Sequence, residues 1–597
     1  MLRVVPRAAL LSVVALPFAV PRAEEPADAL ERLVAEDWEA RVAANPLFAT
    51  SVDRDEGRDR LPDVSPEALA RRAADDAKRL ERLRAIDADA LDRDGRVTHA
   101  MLVRDIAERV DAFRFGEWMI PLNADSGFHS SFARLADTTE LKSAGDVRAY
   151  LARLRAFPGY VEQHIENMRA GLESGMTPPR VTLIGIDATV APYVGDDVDS
   201  NPFQRALLDL PDSIDGEVRA ELIEEGRAAV RDAIIPGYRE FARFLREEYI
   251  PGARTTLGAS EMPDGDAYYA ALVKQFTTLD LTPKEVHERG VSEVSRIRAE
   301  MEALVEELEF EGSFAEFLAF LRTDERFYAR TPDELLGAAA RICKDVDGML
   351  PRYFGALPRQ PYGVEPVPAS IAPKYTSGRY VGAPPDSTRA GTYWVNTYDL
   401  ASRPLYALPA LSLHEAVPGH HLQIALTAEM DHLPPFRRNG YISAFGEGWA
   451  LYCEWLGVEM GVYGTPYEEF GRMTYEMWRA SRLVVDTGIH AFGWSRERAI
   501  EFLASNTALS LHECTTEVDR YISWPGQALS YKTGEILIRE LRMDAERELG
   551  ERFDLRAFHD AVLENGAVPL DVLRTHVRTW IAESKRGADA DESSAPR

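Results

Sequence analysis

Residues His414 to His421, with the sequence H-E-A-V-P-G-H-H, place three imidazoles and one carboxylate side by side in a 597-residue chain that has only 12 histidines. In zinc peptidases of the H-E-x-x-H type, two histidines one helical turn apart bind the ion, and the glutamate beside the first is the general base. The spacing therefore predicts a metal site in which His414 is a ligand and Glu415 takes a proton from water. A chance histidine cluster at a helix kink is the alternative.

The second histidine ligand has two candidates, because Pro418 occupies the position of the second histidine in H-E-x-x-H. Proline lacks an amide hydrogen and its ring crowds the carbonyl four residues back, so the helix must kink or bulge just after Glu415. That distortion can bring His420 beneath His414. His421 lies on the His414 face of an unbroken helix, but the rise between them is about 10 Å, too long for one shared ion. We therefore expect His420 to bind the metal and His421 to contact the substrate or support the ligands.

A third ligand is expected because catalytic zinc normally binds three side chains and keeps one position open. Glu447 follows in the sequence G-E-G-W-A-L-Y, among small and apolar residues where an unpaired carboxylate would be costly to bury. Coordination to a dication would remove that cost, so Glu447 is the predicted third ligand. Glu454, two helical turns later, is expected to support a ligand from behind or to form an ion pair.

Two later segments carry further groups that a hydrolase could use. Asp486 and His490 lie one turn apart on a predicted helix face, where the carboxylate could orient the imidazole and His490 could stabilise an oxyanion. Arg520 offers a guanidinium for a substrate carboxylate, and Tyr521 and Tyr531 offer hydroxyls for a tetrahedral intermediate. The structural alternatives are a surface hydrogen bond for the Asp486 pair and core packing for each tyrosine.

Helices must position most of these groups, because apolar residues recur at helical spacing through a charged background, most clearly over residues 286–308. Three segments, beginning at Thr282, Thr331 and Thr465, each combine an N-cap hydroxyl, a first-turn proline and a glutamate that can close a capping box. Each segment predicts the start of a helix.

A small antiparallel sheet is predicted immediately before the histidine motif, where proline, glycine and short β-prone runs are frequent. Its predicted strands are residues 374–376, 379–381 and 392–396. An exposed edge of this sheet beside a metal could pair with an extended peptide, and Tyr393 is the expected substrate contact. A purely structural hairpin is the alternative.

The chain organisation is predicted from composition. Residues 1–23 place arginines before an apolar run and indicate an export signal. Residues 24–357 form an N-terminal helical region, residues 358–584 a metal-binding region and residues 585–597 a disordered tail. The net charge of −29 argues against nucleic acid and anionic membranes as partners. We expect a periplasmic or secreted protein, soluble after signal cleavage, whose three scattered cysteines are buried free thiols.

The motifs together resemble the bacterial family catalogued as domain of unknown function 885. They are H-E-x-x-P-G-H-H from His414, E-G-W-A-L-Y from Glu447, R-L-V-V-D-T-G-I-H-A from Arg482 and R-Y-x-x-x-P-G-Q-A-L-x-Y from Arg520. The resemblance implies a protein similar to the gluzincin zinc metallopeptidases: mainly α, with a large helical clamshell body and a small antiparallel sheet next to the active site. It also implies His414 and a later histidine of the cluster as metal ligands, Glu415 as base and Glu447 as third ligand.

These features predict an exported zinc peptidase with one Zn²⁺ per chain. Glu415 would activate water, and His490, Tyr521 or Tyr531 would stabilise the oxyanion. Short peptides are the expected substrates, by analogy with helical clamshell folds that exclude folded chains. One alternative is hydrolysis of another amide with a different divalent metal, such as iron or manganese. The other is a periplasmic metal-binding or scaffold protein without catalysis, against which Glu415 argues, since a structural site does not require that carboxylate.

Overall fold

The computed structural model describes residues 25–124, 126–369, 371–383 and 389–594, so the predicted export signal lies outside the described residues. The described chain is mainly helical, as predicted. Its α-helices, numbered in chain order, are α1 Pro26–Ala44, α2 Pro46–Ser51, α3 Pro66–Arg84, α4 Arg93–Phe115, α5 Phe128–Ala133, α6 Leu135–Thr138, α7 Ala144–Ser174, α8 Arg180–Leu183, α9 Pro202–Arg205, α10 Gly216–Ala229, α11 Ile235–Phe244, α12 Ile250–Gly252, α13 Gly265–Thr277, α14 Pro283–Glu307, α15 Phe314–Thr323, α16 Pro332–Asp347, α17 Leu408–Glu415, α18 His420–Ala428, α19 Pro435–Arg438, α20 Ser443–Met460, α21 Pro466–His490, α22 Arg496–Asn506, α23 Leu511–Ser523, α24 Ser530–Leu549, α25 Leu555–Leu563 and α26 Leu570–Ser594.

The three predicted helix starts are confirmed. The helices α14, α16 and α21 each begin at the proline that follows Thr282, Thr331 or Thr465, and each threonine hydroxyl accepts a hydrogen bond from the amide of the glutamate three residues later. In α21 every residue from Phe470 to His490 is buried. A helix buried on all sides lies in a core, so polar side chains on α21 must find partners inside the protein.

The small sheet has three strands, β1 Tyr362–Pro366, β2 Gly378–Val381 and β3 Gly391–Val395, in the order β1-β3-β2. The antiparallel prediction is correct for β2 and β3 and wrong for β1, which pairs parallel to β3. The prediction missed β1 because its sequence Y-G-V-E-P has no strong β-pattern. The segment 374–376 was expected to be a strand, but Lys374 ends a 3-10 helix and the next two residues form no strand. The sheet is therefore mixed, with β3 in the centre.

Two large cores enclose the elements that carry the histidine motif. The first joins α1, α3 and α4 to α20, α24, α25 and α26, and the second joins α14, α15 and α16 to α21, α22 and α23. Helix α17 lies between them, with Leu413 in the first core and Leu411 in the second. Helices from both sides of residue 357 thus share both cores. A third core is formed within residues 122–253.

The C-terminal helix is longer than predicted. It continues to Ser594, so most of the segment 585–597, expected to be a disordered tail, is helical, and the residues after Ser594 lie outside the described residues. The alanine, lysine and arginine residues of this segment favour a helix once an anchored helix precedes them. Cys343, Cys453 and Cys514 are buried free thiols, as predicted. Among the described residues, no helix combines the length and the apolar character needed to cross a membrane.

Candidate metal centre

The helix that carries the motif is interrupted rather than kinked. Helix α17 ends at Glu415 and α18 begins at His420, so the prediction of a kink or bulge understated the distortion. One backbone hydrogen bond, from the amide of His421 to the carbonyl of Ala416 at 3.1 Å, spans the break. The carbonyl of Pro418 accepts a hydrogen bond of 2.9 Å from the indole of Trp449, which ties the connecting turn to α20.

Gly419 allows the chain to turn back tightly enough for His420 to approach His414. A Cβ atom at this position would overlap the carbonyl oxygens of Leu413 and His414. Any other residue would force the two helices apart, and the second histidine would move away with α18.

The break brings His414, His420 and Glu447 together, with their nearest ligand atoms within 4.8 Å of one another. An oxygen of Glu447 lies 3.4 Å from Nε2 of His414 and 3.5 Å from Nε2 of His420. A tetrahedral zinc ion with bonds of about 2.0 Å holds its ligand atoms about 3.3 Å apart. Two imidazoles and one carboxylate at these separations therefore fit a zinc ion with an open fourth position.

Helix α20 supplies carboxylates to both nitrogens of His414. Glu447 faces Nε2, and Glu454 bonds to Nδ1 at 2.7 Å. A carboxylate on Nδ1 fixes the tautomer that leaves Nε2 free as a metal ligand. Tyr441 donates a hydrogen bond of 3.0 Å to the second oxygen of Glu447. Gly446 makes room for this tyrosine, because a Cβ atom there would meet its ring.

The electrostatics of the cluster favour a cation. Burial opposes the charged form of His414, but hydrogen bonds to Glu447 and Glu454 outweigh it and raise the pKa of His414 to about 10. Burial would likewise raise the pKa of Glu447, but His420 and His414 hold that pKa well below its usual range. A bound dication would supply the positive charge that these carboxylates stabilise.

Glu415 points its carboxylate toward the sheet. The backbone N–H of Tyr380, in β2, donates a hydrogen bond of 2.8 Å to Oε2 of Glu415. This bond uses the outer edge of β2 and orients the carboxylate. Glu415 is only 9% exposed and directly follows His414 in the sequence.

The match to a family model decides the relationship of the chain: residues 46–577 match the family described as "Bacterial protein of unknown function (DUF885)". The chain belongs to the DUF885 family. The structure resembles a "putative lipoprotein" from Colwellia psychrerythraea at 28% identity and a TM-score of 0.88, covering 94% of this chain and 100% of that one. It also resembles a "putative lipoprotein of unknown function" from Shewanella oneidensis at 18% identity and a TM-score of 0.69, covering 93% and 99% of the two chains. No curated protein matches this DUF885 chain.

His421 lies behind the metal cluster in this DUF885 protein. Its Nδ1 hydrogen-bonds to the hydroxyl of Tyr380 at 3.0 Å, and its ring packs against Tyr362 with centroids 4.5 Å apart. Burial lowers the pKa of His421 to about 4. This histidine thus joins α18 to the sheet, which favours the predicted supporting role over the predicted substrate contact.

His490 and Asp486 are not part of the site, which corrects the roles expected for them. Nδ1 of His490 accepts a hydrogen bond of 3.0 Å from the amide of Ala259, and Nε2 donates one of 2.9 Å to the carbonyl of Tyr521. Burial lowers the pKa of His490 to about 3. Asp486 accepts a 2.6 Å hydrogen bond from Tyr269 instead of orienting His490. Both nitrogens of His490 are occupied, so the ring cannot stabilise an oxyanion.

The two tyrosines have different positions. The hydroxyl of Tyr521 is buried and accepts hydrogen bonds from Trp478 at 2.8 Å and from Arg482 at 3.0 Å. The guanidinium of Arg482 lies over the ring of Tyr531 at 4.2 Å. Tyr521 therefore supports Tyr531 through an arginine. Its buried, hydrogen-bonded hydroxyl matches the core-packing alternative and not the predicted contact with a tetrahedral intermediate.

Tyr531 and Arg520 are connected to the cluster through their neighbours. Tyr531 interacts electrostatically with Tyr441, which contacts Glu447, and with Arg379. Arg520 also interacts electrostatically with Arg379. The sequence-predicted residues that the structure gathers around the cluster are thus Tyr531 and Arg520, together with Glu415 and Glu454.

Tyr393 does not contact a substrate, which corrects its predicted role. It belongs to the central strand β3 and is fully buried. The prediction assumed that its strand was an edge, but β1 and β2 cover both of its sides.

Sequence reasoning missed Tyr441 and Tyr380 and treated Arg379 only as a strand residue. Tyr441 lies six residues before Glu447, and its hydrogen bond to that carboxylate is visible only in the folded protein. Tyr380 acts through its backbone amide, which no side-chain pattern reveals. The alternation of Arg379 and Tyr380 in a predicted strand was the one available signal that Arg379 faces away from the core.

Proposed function

We propose that this DUF885 protein is a zinc-dependent hydrolase that cleaves peptide bonds. The observation that carries the proposal is the convergence of His414, His420 and Glu447 beside the carboxylate of Glu415. Three ligands with an open position are typical of catalytic zinc, whereas structural zinc is normally held by four. A carboxylate beside the first ligand is what amide hydrolysis requires in addition.

Each residue around the cluster has a separate role in the proposed reaction. A divalent ion in this cluster would polarise the scissile carbonyl and lower the pKa of water. Glu415 accepts the proton of the attacking water and delivers it to the leaving amine. Tyr531 accepts a hydrogen bond of 3.4 Å from Gln527, so its own hydroxyl hydrogen is available to stabilise the oxyanion. Glu454 holds the His414 ring in place.

Short or extended peptides are the proposed substrates. His414 is 3% exposed and Glu415 is 9% exposed, so only a narrow chain can reach the site. This depth supports a gluzincin-like clamshell in which folded proteins are excluded. Zinc is the proposed metal because two imidazoles with one carboxylate match its common ligands, although the same donors accept other divalent ions.

We further propose that the protein is exported. Residues 1–23 have the composition of an export signal, and the two similar solved structures are described as lipoproteins. The acidic net charge of −29 is consistent with a soluble exported protein.

Metal analysis combined with peptide hydrolysis tests the proposal. Protein purified without chelator should contain about one zinc per chain and should cleave members of a quenched-peptide library. Chelation should abolish cleavage and added zinc should restore it. A protein that neither contains nor takes up zinc contradicts the proposal, and one that binds zinc but cleaves no peptide is a binding protein.

Glu415→Gln tests the role of the base. The amide is nearly isosteric but cannot accept a proton, so we expect full zinc content and a rate about 100- to 10,000-fold lower. The matched control is Glu540→Gln, at an exposed position of α24, which should retain both properties. A parental rate in Glu415→Gln would show that Glu415 is not the base.

A further inference from the structure

We propose that the site removes short fragments from the C-terminal end of peptides, with Arg379 binding the free α-carboxylate of the substrate and Arg520 assisting. This inference rests on the proposed peptidase function and narrows its substrate class. The chemistry that identifies the substrate is recognition of a carboxylate by guanidinium groups.

The first observation is the distance of Arg379 from the base. The amide of Tyr380 donates to Glu415 at 2.8 Å, and only two covalent bonds separate that nitrogen from Cα of Arg379. Cα of Arg379 therefore lies within about 5 Å of the Glu415 carboxylate. Side chains alternate along a strand, so Arg379 is exposed on the face of β2 opposite to the buried ring of Tyr380.

The second observation is that Arg379 has no carboxylate partner among the residues that the structure describes. Arg482, a buried arginine near the site, is paired with Glu517 at 2.7 Å. Arg379 instead lies against the ring of Tyr375, with its guanidinium carbon 5.6 Å from the ring centroid. Tyr375 orients the guanidinium by a cation–π contact and a side-chain hydrogen bond, and the remaining hydrogen-bond donors of Arg379 stay available for an anion.

The third observation is a second cation on the same side. Arg379 interacts electrostatically with Arg520 and also with Glu415 and Tyr531. Arg520 also pairs with Glu517 at 3.8 Å, and a substrate carboxylate near both guanidinium groups would offset their mutual repulsion. In a chain with a net charge of −29, two interacting arginines form a local region that favours a carboxylate.

The reach of Arg379 limits the length of the product. Five bonds of ordinary length carry its guanidinium roughly 6 Å beyond Cα, so the group lies at most about 11 Å from the Glu415 carboxylate. An extended peptide advances about 3.3 to 3.6 Å per residue. A terminal carboxylate on Arg379 therefore places the scissile bond no more than about three residues from the C-terminus.

A set of matched peptides tests the proposal. One sequence is prepared with a free C-terminal carboxylate, with a C-terminal amide, and as an amide whose last residue is glutamate. For the zinc-loaded protein we expect kcat/KM about 10- to 100-fold higher for the free acid than for the plain amide. Mass spectrometry should show C-terminal products of three residues or fewer. Equal cleavage of the acid and the amide overturns the proposal. If the amide that ends in glutamate is cleaved as well as the free acid, Arg379 binds acidic side chains rather than the terminal carboxylate, and the proposal is also overturned.

Arg379→Gln should remove the preference by raising KM for the free acid, so that the acid and the amide are cleaved with similar kcat/KM. Arg520→Gln should have a smaller effect in the same direction. Arg341→Gln is the matched control, because Arg341 is 78% exposed and pairs only with Asp345. Unchanged selectivity in Arg379→Gln contradicts the proposal.

A binding experiment separates this inference from the proposed function. Zinc-loaded Glu415→Gln is titrated by calorimetry with the acid and amide peptides, with and without Arg379→Gln, and thermal melting checks that each variant is folded. If the wild-type protein cleaves nothing, the peptidase function fails, yet tighter binding of the acid that depends on Arg379 would support carboxylate recognition. Equal binding of acid and amide would overturn it.

Discussion

The candidate metal centre and the Asp486–His490 pair each combine imidazole with carboxylate in the interior of the protein, but the partners of their polar atoms differ. In the pair, backbone groups occupy both nitrogens of His490, and Tyr269 and Gly526 donate to Asp486. In the centre, side-chain ligand atoms of His414, His420 and Glu447 face one another across 3.4 to 3.5 Å. Within the described residues, the remaining nitrogen of His420 has no hydrogen-bond partner.

This difference in hydrogen-bond partners distinguishes a buried histidine that stabilises the fold from one that is available to bind a ligand. A buried group that is bonded to backbone on both sides stabilises the fold and has nothing left to offer a ligand. Side-chain donor atoms that converge on one another are costly unless a cation lies between them. Burial and residue type alone therefore do not show which histidines could bind a metal. The hydrogen-bond partners of their ring nitrogens do.

The largest expected effect comes from the two adjacent histidines. His420→Ala should lower zinc affinity as severely as His414→Ala, because each removes one of three ligands. His421→Ala should retain zinc, since His421 contacts Tyr380 and Tyr362 instead. Zinc titration with a competing chelator measures both variants. Loss of zinc in His421→Ala would mean that α18 turns differently in solution.

His490→Phe should destabilise the fold without affecting the metal. It leaves the amide of Ala259 and the carbonyl of Tyr521 without partners, at a cost of about 3 kcal/mol in the free energy of unfolding. Urea unfolding measures that loss, and metal analysis should still give the wild-type zinc content. A variant of normal stability that had lost activity would return His490 to the catalytic site.

Glu454→Gln should weaken zinc binding by about 10- to 100-fold, as removal of a carboxylate behind a metal-bound histidine does. The structural reason is the 2.7 Å bond to Nδ1 of His414. Glu459→Gln is a control on the same helix, since Glu459 pairs with Arg542. If both variants bind zinc equally, the Glu454 contact does not orient His414.

Asp486→Asn should have the smallest effect, on the pH dependence of stability. Burial raises the pKa of Asp486 from 3.8 to about 7. The folded protein keeps this proton to a higher pH than the unfolded chain, so the contribution of Asp486 to stability is full at low pH and is lost as the pH rises through 7. Between about pH 6 and pH 8 the wild-type protein should lose about 1.4 kcal/mol more than the variant. Parallel urea curves at the two pH values measure this, and equal losses would mean that Asp486 is ionised throughout.

Local sequence predicted the parts of the molecule that local interactions determine. The Thr-Pro starts of α14, α16 and α21 depend on hydrogen bonds within four residues, so they could be predicted residue by residue. The mainly helical fold follows from periodicity in the same way. The grouping of His414, His420 and Glu447 was predictable because metal chemistry limits which residue types can converge.

The remaining features depend on contacts between distant segments. The sequence around His490 does not show that Ala259 and Tyr521 hydrogen-bond to its two ring nitrogens. From the sequence alone, the Asp486–His490 pair could equally have belonged to a catalytic site. The parallel strand β1 forms because it pairs with β3, and its own sequence does not predict a strand. The role of Tyr380 rests on a backbone amide at a sheet edge, and an amide has no signature in the sequence.

The spacing of two carboxylates on α20 has a consequence for how this sequence can change. Glu447 and Glu454 contact opposite nitrogens of one imidazole, and their seven-residue separation is close to two full turns of about 3.6 residues. Inserting a single residue between them would rotate one carboxylate by about 100° around the helix axis. Both contacts with His414 therefore require a fixed rotation of α20 about its axis, so the number of residues between the two glutamates cannot change.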